Sequence, residues 1–253
     1  MLWYKSWLET RWQFLTGLIV LFCAAADVVV FWPKVLQLMP LASSIDAGGE
    51  IGRQIKEGAE LVRDYRGYIW SQGFRQSLSN MATLFAVLLG AGGLLSQRAG
   101  GLFLLSLPVS RGRFLAVRAA TGLAELLALT FVPSLVILLL SPSVGKTYSV
   151  VDALIHGTCL FFAAAAFFSL TLLLSTVFGD YWRPLLITLL VAIILGFAEQ
   201  ALRDQWSSGI FHVMSGEAYF RHGELPWLGL LASLAASSAM LYGATIKIAR
   251  QDF

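Results

Sequence analysis

The feature that most restricts this chain is a succession of apolar runs of about 18 residues or more, long enough for a helix to cross the roughly 30 Å hydrocarbon core of a bilayer. Inside lipid every backbone N–H and C=O must find its partner within the protein, and a helix does this within a single segment. Composition agrees. The chain of 253 residues is 57% hydrophobic and 13% charged, against about 25% charged in soluble domains, and its mean hydropathy is +0.73. The expected fold is an all-α membrane protein. It has six transmembrane helices, an N-terminal interfacial elbow helix and an outer amphipathic helix.

Residues 1–13 mix Trp3, Tyr4, Trp7 and Trp12 with Lys5, Glu9 and Arg11. Helical spacing places Trp3, Trp7 and Leu8 near one face, the pattern of a helix lying in the membrane interface. The remaining chain, 14–253, is read as one six-span membrane domain with spans at about 14–31, 78–95, 114–140, 154–178, 184–202 and 225–246. Ala24-Ala25-Ala26 follows the first apolar run as a signal-peptide cleavage site would. The aromatic lead is foreign to such peptides, so the segment is read as a retained span. In the long polar stretch 33–76, Ile51, Ile55, Ala59, Val62, Tyr65 and Ile69 recur at three- and four-residue steps. That predicts an amphipathic helix over about 50–70, on the outer surface or over an outer mouth.

Short inner segments should be basic, because Lys and Arg resist translocation. Lys5 and Arg11, then Arg98, Arg111, Arg113 and Arg118, then Arg183, then Lys247 and Arg250 all fall on one side of the six-span plan. Trp12 and Trp32 bracket the first span, and Trp182 and Trp206 the fifth, as an aromatic belt requires. Both termini are therefore expected in the cytoplasm, with the chain integral to a bacterial inner (cytoplasmic) membrane. The net charge of +3 is divided among loops, whereas nucleic-acid binding needs one concentrated basic face.

The loop at about 97–113 carries arginines and no acidic residue, and Leu102-Phe103-Leu104-Leu105 is apolar enough for a turn or two of helix before Pro108 stops it. Apolar knobs rimmed by arginines suit docking to a soluble partner; a basic anchor beside two spans is the plainer alternative. Gly100-Gly101-Leu102 followed by Leu104-Leu105-Ser106-Leu107-Pro108-Val109-Ser110-Arg111 resembles the loop after the second span of type-2 ATP-binding-cassette (ABC) transporter permeases. Gln97 and Arg98 stand where that family commonly has an acidic residue, and Gly101 where it has Thr. The resemblance implies that Arg98, Gly100, Leu104, Leu105, Pro108, Ser110 and Arg111 form a coupling element on a cytoplasmic ABC ATPase. It also implies a second permease copy, as homodimer or related heterodimer, with ATP and Mg held by the partner ATPase. This chain is expected to bind no cofactor and to catalyse no reaction itself.

Glu125 is the ionisable residue of most interest within a span. At such a depth a carboxylate should meet protein, a partner charge or water, as a polar contact between helices or as part of a polar pathway. Arg118 lies on nearly the same helical face, about 10 Å away along the axis. Asp27 and Glu199 fall near the outer ends of their spans, and Glu199 with Arg203 reads as an i,i+4 pair. His156, His212 and His222 lack metal-ligand spacing, and Cys23 and Cys159 read as buried inert thiols. Gly145-Lys146-Thr147 is not a nucleotide loop, because position 140 is Leu where the motif needs Gly. Gly90, Gly92 and Gly93, and Ala239 with Gly243, permit close helix approach.

These readings favour the membrane subunit of an ABC exporter over two alternatives. An intramembrane enzyme would need a nucleophile–base pair or clustered acids at one depth. An ion-coupled secondary transporter would carry acids at the midplane of repeated halves; the acids here are few and at unequal depths.

Overall fold

The computed structural model describes residues 2–43, 58, 60–91, 111–178, 180–201 and 209–249. All regular structure among them is helical: α1 (Leu2–Ser43), α2 (Tyr65–Tyr68), a π-helix (Ile69–Leu78), α3 (Ser79–Ala91), α4 (Arg111–Leu140), a 3₁₀ turn (Ser141–Val144), α5 (Val150–Val177), α6 (Trp182–Ala201), α7 (Ile210–Ser215), α8 (Glu217–His222) and α9 (Trp227–Ala249). Five of the described helices are long and apolar enough to cross a membrane: those of α1, α4, α5, α6 and α9. The chain is thus a helical membrane protein.

Helix α5 is the hub. It packs against α3, α4, α6, α7 and α9, and 67% of its most apolar stretch is buried, against 22% for α9. The cause is local sequence: Ala163, Ala164, Ala165 and Ala166 are all buried, and small side chains let neighbouring backbones approach closely where lipid offers no hydrophobic drive. Gly90 of α3 meets α5 the same way. A Cβ there would lie 2.7 Å from the Phe168 carbonyl oxygen and 2.8 Å from the Thr171 Cβ. Of the expected small-residue seams, Gly92 and Gly93 lie outside the described residues, and Ala239 faces outward on α9.

Three boundaries differ from expectation. The elbow over residues 1–13 is not a separate element, because α1 continues without a break from Leu2 past Trp32. No Gly or Pro interrupts Trp12–Phe14, and Ser6 and Thr10 are buried, so the first turns gain tertiary packing as a continuation of the span. The outer amphipathic helix and the second span are likewise not separated near residue 70. After a bend at Asp64, helical turns run from Tyr65 to Ala91, with the π stretch in place of a loop. The region after Arg203, expected as loop, contains α7 and α8. These two short helices close one end of the bundle (the capped end), opposite the end where α1 starts. Gly216 joins them at φ +67° with the His156 ring close behind it, a left-handed position that glycine adopts without a steric penalty.

The α3–α5 seam generates a test. Gly90→Val should lower stability in detergent by about 1–3 kcal/mol, the usual cost of overpacking. Gly112→Ala, with open space around its Cβ position, should melt like the parent.

Candidate functional site

The loop residues Arg98, Gly100, Leu104, Leu105, Pro108 and Ser110 lie outside the described residues, and Arg111 is the first residue of α4. Arg203, the expected partner of Glu199, also lies outside them. Glu125 and Arg118 belong to one polar cluster and Glu199 and His212 to another, at opposite ends of the bundle.

At the end where α1 begins, Glu125 joins helices. Thr10 Oγ1 donates to Glu125 Oε1 at 2.7 Å, while Glu125 Oε2 is buried with no hydrogen-bond partner among the described residues. Arg118 is 2% exposed; it donates from Nη2 to the Leu89 carbonyl at 3.1 Å and has Glu9 at 3.9 Å. The early turns of α4 are thereby tied to α1 and to the end of α3. Glu125 thus makes a contact between α4 and α1.

At the capped end, Asp152 near the start of α5 gathers two groups. Arg66 approaches with Nε at 3.0 Å and Nη2 at 3.2 Å, a two-pronged contact, and Tyr219 donates its hydroxyl at 2.7 Å. Trp70 stacks on Phe220 at 4.3 Å and donates to the Ser215 carbonyl at 3.0 Å. Glu199 accepts from the backbone N–H groups of Phe211 and His212 and pairs with the His212 ring at 3.1 Å. His212 also faces Glu217 at 3.4 Å, which holds Arg221 at 2.7 Å. So α7 and α8 are pinned to the π-helix, α5 and α6 by polar contacts. His156 is instead stacked on Phe74, and His222 is exposed. Among the described residues no group of three His, Cys, Asp or Glu is placed to hold a metal ion. Cys159 is buried, but Cys23 is exposed on the side of α1.

Leading away from the capped end is a feature that the sequence reading missed. Gln72, Arg75, Gln76 and Asn80 are exposed along one line of the π-helix and the start of α3, within the helical run that leads to the buried Leu89. Polar side chains exposed on a helix mark protein contacts or water-filled paths where that helix lies in lipid, and π turns recur at functional positions. Ser79 Oγ donates back to the Phe74 carbonyl five residues earlier, the span of one π turn. A groove of about 970 Å³ flanks the stripe on the α1 side, with Cys23, Asp27, Gln72, Gln76 and Ser77 in its wall. A second of about 700 Å³ flanks it on the α6 side, with Arg75, Asn80, Thr83, Glu199 and His212. The signal was present: Gln72, Gln76 and Asn80 recur at four-residue steps just before an apolar run.

Two tests address the capped end. Asp152→Ala should cost about 2 kcal/mol, since it strands a hydrogen-bonded guanidinium and a phenol. Burial pushes the Tyr148 phenol above its ordinary value of 10.0, helped by the Asp152 carboxylate. Tyr219 shifts the same way, first through its hydrogen bond to Asp152 and then through burial. A folded-state value above the unfolded one stabilises fully at pH below the unfolded value and is lost as pH rises beyond it. Thermal melts in detergent should therefore hold up to about pH 10 and fall above it, and Tyr148→Phe should flatten the fall.

Comparison with protein-family models, with curated proteins and with solved structures returns no match for this chain.

Proposed function

We propose that this chain is the membrane-spanning permease subunit of an ABC exporter, moving its substrate with ATP hydrolysed by a separate cytoplasmic subunit. The observation that carries the transport reading is the exposed polar line Gln72–Arg75–Gln76–Asn80 between two grooves, because a bilayer does not tolerate such a face unless protein or a solvated path covers it. The ATPase reading rests on the resemblance in residues 97–113. In this view the helical run from Tyr65 to Ala91 belongs to the sixth span, and the capped end is extracellular. A second copy of the permease covers the polar line, and the path runs between the copies. ATP-driven closure of the ATPase pair favours one of two arrangements of the bundle through differential contacts at the coupling loop.

Leu104 and Leu105 then act as apolar anchors in the ATPase, and truncating buried anchors commonly costs more than about 1 kcal/mol each. Leu104→Ala with Leu105→Ala should reduce ATPase recovery from native membranes and abolish substrate-stimulated hydrolysis, while the permease still elutes as one folded species. Arg111→Ala should act in the same direction and more weakly if it sits at the rim. A double variant that recruits the ATPase and hydrolyses ATP like the parent overturns the coupling role. For the path, Gln76→Leu with Asn80→Leu should leave ATPase recovery intact and lower transport in vesicles; unchanged transport would remove the polar line from the path. Labelling of Glu57→Cys by an impermeant thiol reagent should succeed in intact cells, with Cys23→Ser as background, and labelling only after lysis would invert the orientation.

A further inference from the structure

The groove between α1 and the π-helix carries one charge in an otherwise neutral wall. On α1, Ile19, Cys23, Asp27, Phe31 and Val35 recur along it at four-residue steps, and Gln72 and Gln76 line it from the π-helix. Among the described residues of the wall, Asp27 is the one charged side chain. It is exposed and belongs to the candidate span Leu2–Gln37, a little over one turn before the buried Trp32. Among the described residues no hydrogen bond or ion pair reaches its carboxylate. Lys34 comes seven residues later, a rise of about 10 Å along the helix, and holds its ammonium over the Phe31 ring at 4.8 Å. A carboxylate within a span calls for a partner charge, protein or water.

The rest of the wall is apolar. Away from the capped end it is made by Ile19, Val20 and Met81, with Ile19 and Val20 exposed at 59% and 40%. Eight residues separate Ile19 from Asp27, a rise of about 12 Å. The volume of about 970 Å³ is that of a site for a small organic molecule. A bare metal ion would need several oxygens closing on it at short range, whereas a single carboxylate stands here among hydrocarbon and two amides.

We infer that this groove binds a lipophilic organic cation, its charge held by Asp27 and its apolar body lying along Ile19, Val20 and Met81. The sign follows from the wall. An acid would meet the Asp27 charge directly, and the phosphate of a zwitterionic lipid would meet it with no cation in the wall to offset the repulsion. Gln72 and Gln76 offer amide oxygens as further acceptors, and the bulk of the ligand replaces lipid against the apolar end. The inference names a substrate class for one flank of the proposed transport path, and it rests on that reading only in placing α1 in a bilayer.

Cys23 provides the reporter. It is exposed in the groove wall, one turn from Asp27, while the second cysteine, Cys159, is buried. The full chain in maltoside detergent is alkylated with N-ethylmaleimide, without nucleotide or ATPase, in the presence of tetraphenylphosphonium. This cation should slow Cys23 alkylation to a saturable limit. Tetraphenylborate, an anion of the same shape, and dispersed phosphatidylethanolamine should not. Asp27→Asn should raise the concentration needed for protection by about tenfold, as expected for the loss of one charge-assisted contact, and Asp27→Glu should restore it. Val20→Trp should weaken protection by filling the apolar end. Leu231→Trp, on the outward face of α9, should behave like the parent. Equal protection by tetraphenylborate, or protection indifferent to Asp27→Asn, overturns the inference, because partition into an apolar groove then explains the result. Protection by phosphatidylethanolamine at the same concentration assigns the groove to lipid and overturns it too, as does absence of any protection by tetraphenylphosphonium. Each variant is checked for a single elution peak, and Val20→Trp acts without touching the charge, so one variant that fails to fold does not decide the result. Failure to recover an ATPase would leave Cys23 protection unchanged, and absent protection would leave ATPase recovery unchanged, so the two readings fail separately.

Discussion

Close backbone approach on α5 is the contact on which the other helices depend. In a bilayer, apolar side chains gain nothing by leaving lipid for protein, so association has to come from van der Waals fit and polar ties. Four consecutive buried alanines, Ala163 to Ala166, give α5 a slim waist that several helices share. Gly90 lets α3 come within backbone contact, and Gly122 on α4 accepts the ring of Phe168. Large side chains then fill what the small ones leave. Phe167 and Phe168 are buried directly beside the alanines, so one short stretch supplies both the close approach and the filler.

Polar ties complete what small residues begin, and they are distributed unequally. Near the start of α1 they are few and buried: Thr10 with Glu125, and Arg118 with the Leu89 carbonyl and Glu9. Near α7 and α8 they form a partly exposed network around Asp152 and Glu199. That network organises the residues between two spans into a lid of two short helices. Charge-assisted hydrogen bonds are worth most where water is scarce. The same types of residue therefore staple helices at one end and shape a cover at the other.

The apolar runs made most of the architecture readable before any coordinates. Spans expected at 114–140, 154–178 and 225–246 correspond to Arg111–Leu140, Val150–Val177 and Trp227–Ala249, because length and uniform hydrophobicity leave a buried backbone one solution. Boundaries set by tertiary contact were not readable. The junction at residue 13 looked like an interfacial stop, since Trp and charged residues are enriched at membrane surfaces, yet buried Ser6 and Thr10 carry the helix straight on. The π-helix at Ile69–Leu78 was illegible too, since residue periodicity does not separate a short π stretch from the α-helix around it. Glu125 was located by sequence, and its partner Thr10 was not, since 115 positions separate them. The docking loop stayed a matter of motif alone, because its residues 97–110 lie outside those described.

The unbroken course of α1 has a mechanical consequence. From Leu2 to Trp32 it is a rod of about 45 Å with no proline or interior hinge. Its near end is fastened to α4 through Thr10 and Glu125. Its far end sets Trp32 against Tyr65 and Tyr68, with ring centroids 5.3 and 5.0 Å apart. A rod held at two points cannot yield between them, so a tilt imposed on the first turns becomes a sideways stroke at the aromatic cluster, where the π-helix starts. Pro33 comes one residue after Trp32 and takes one backbone donor out of the helix, which still continues to Ser43.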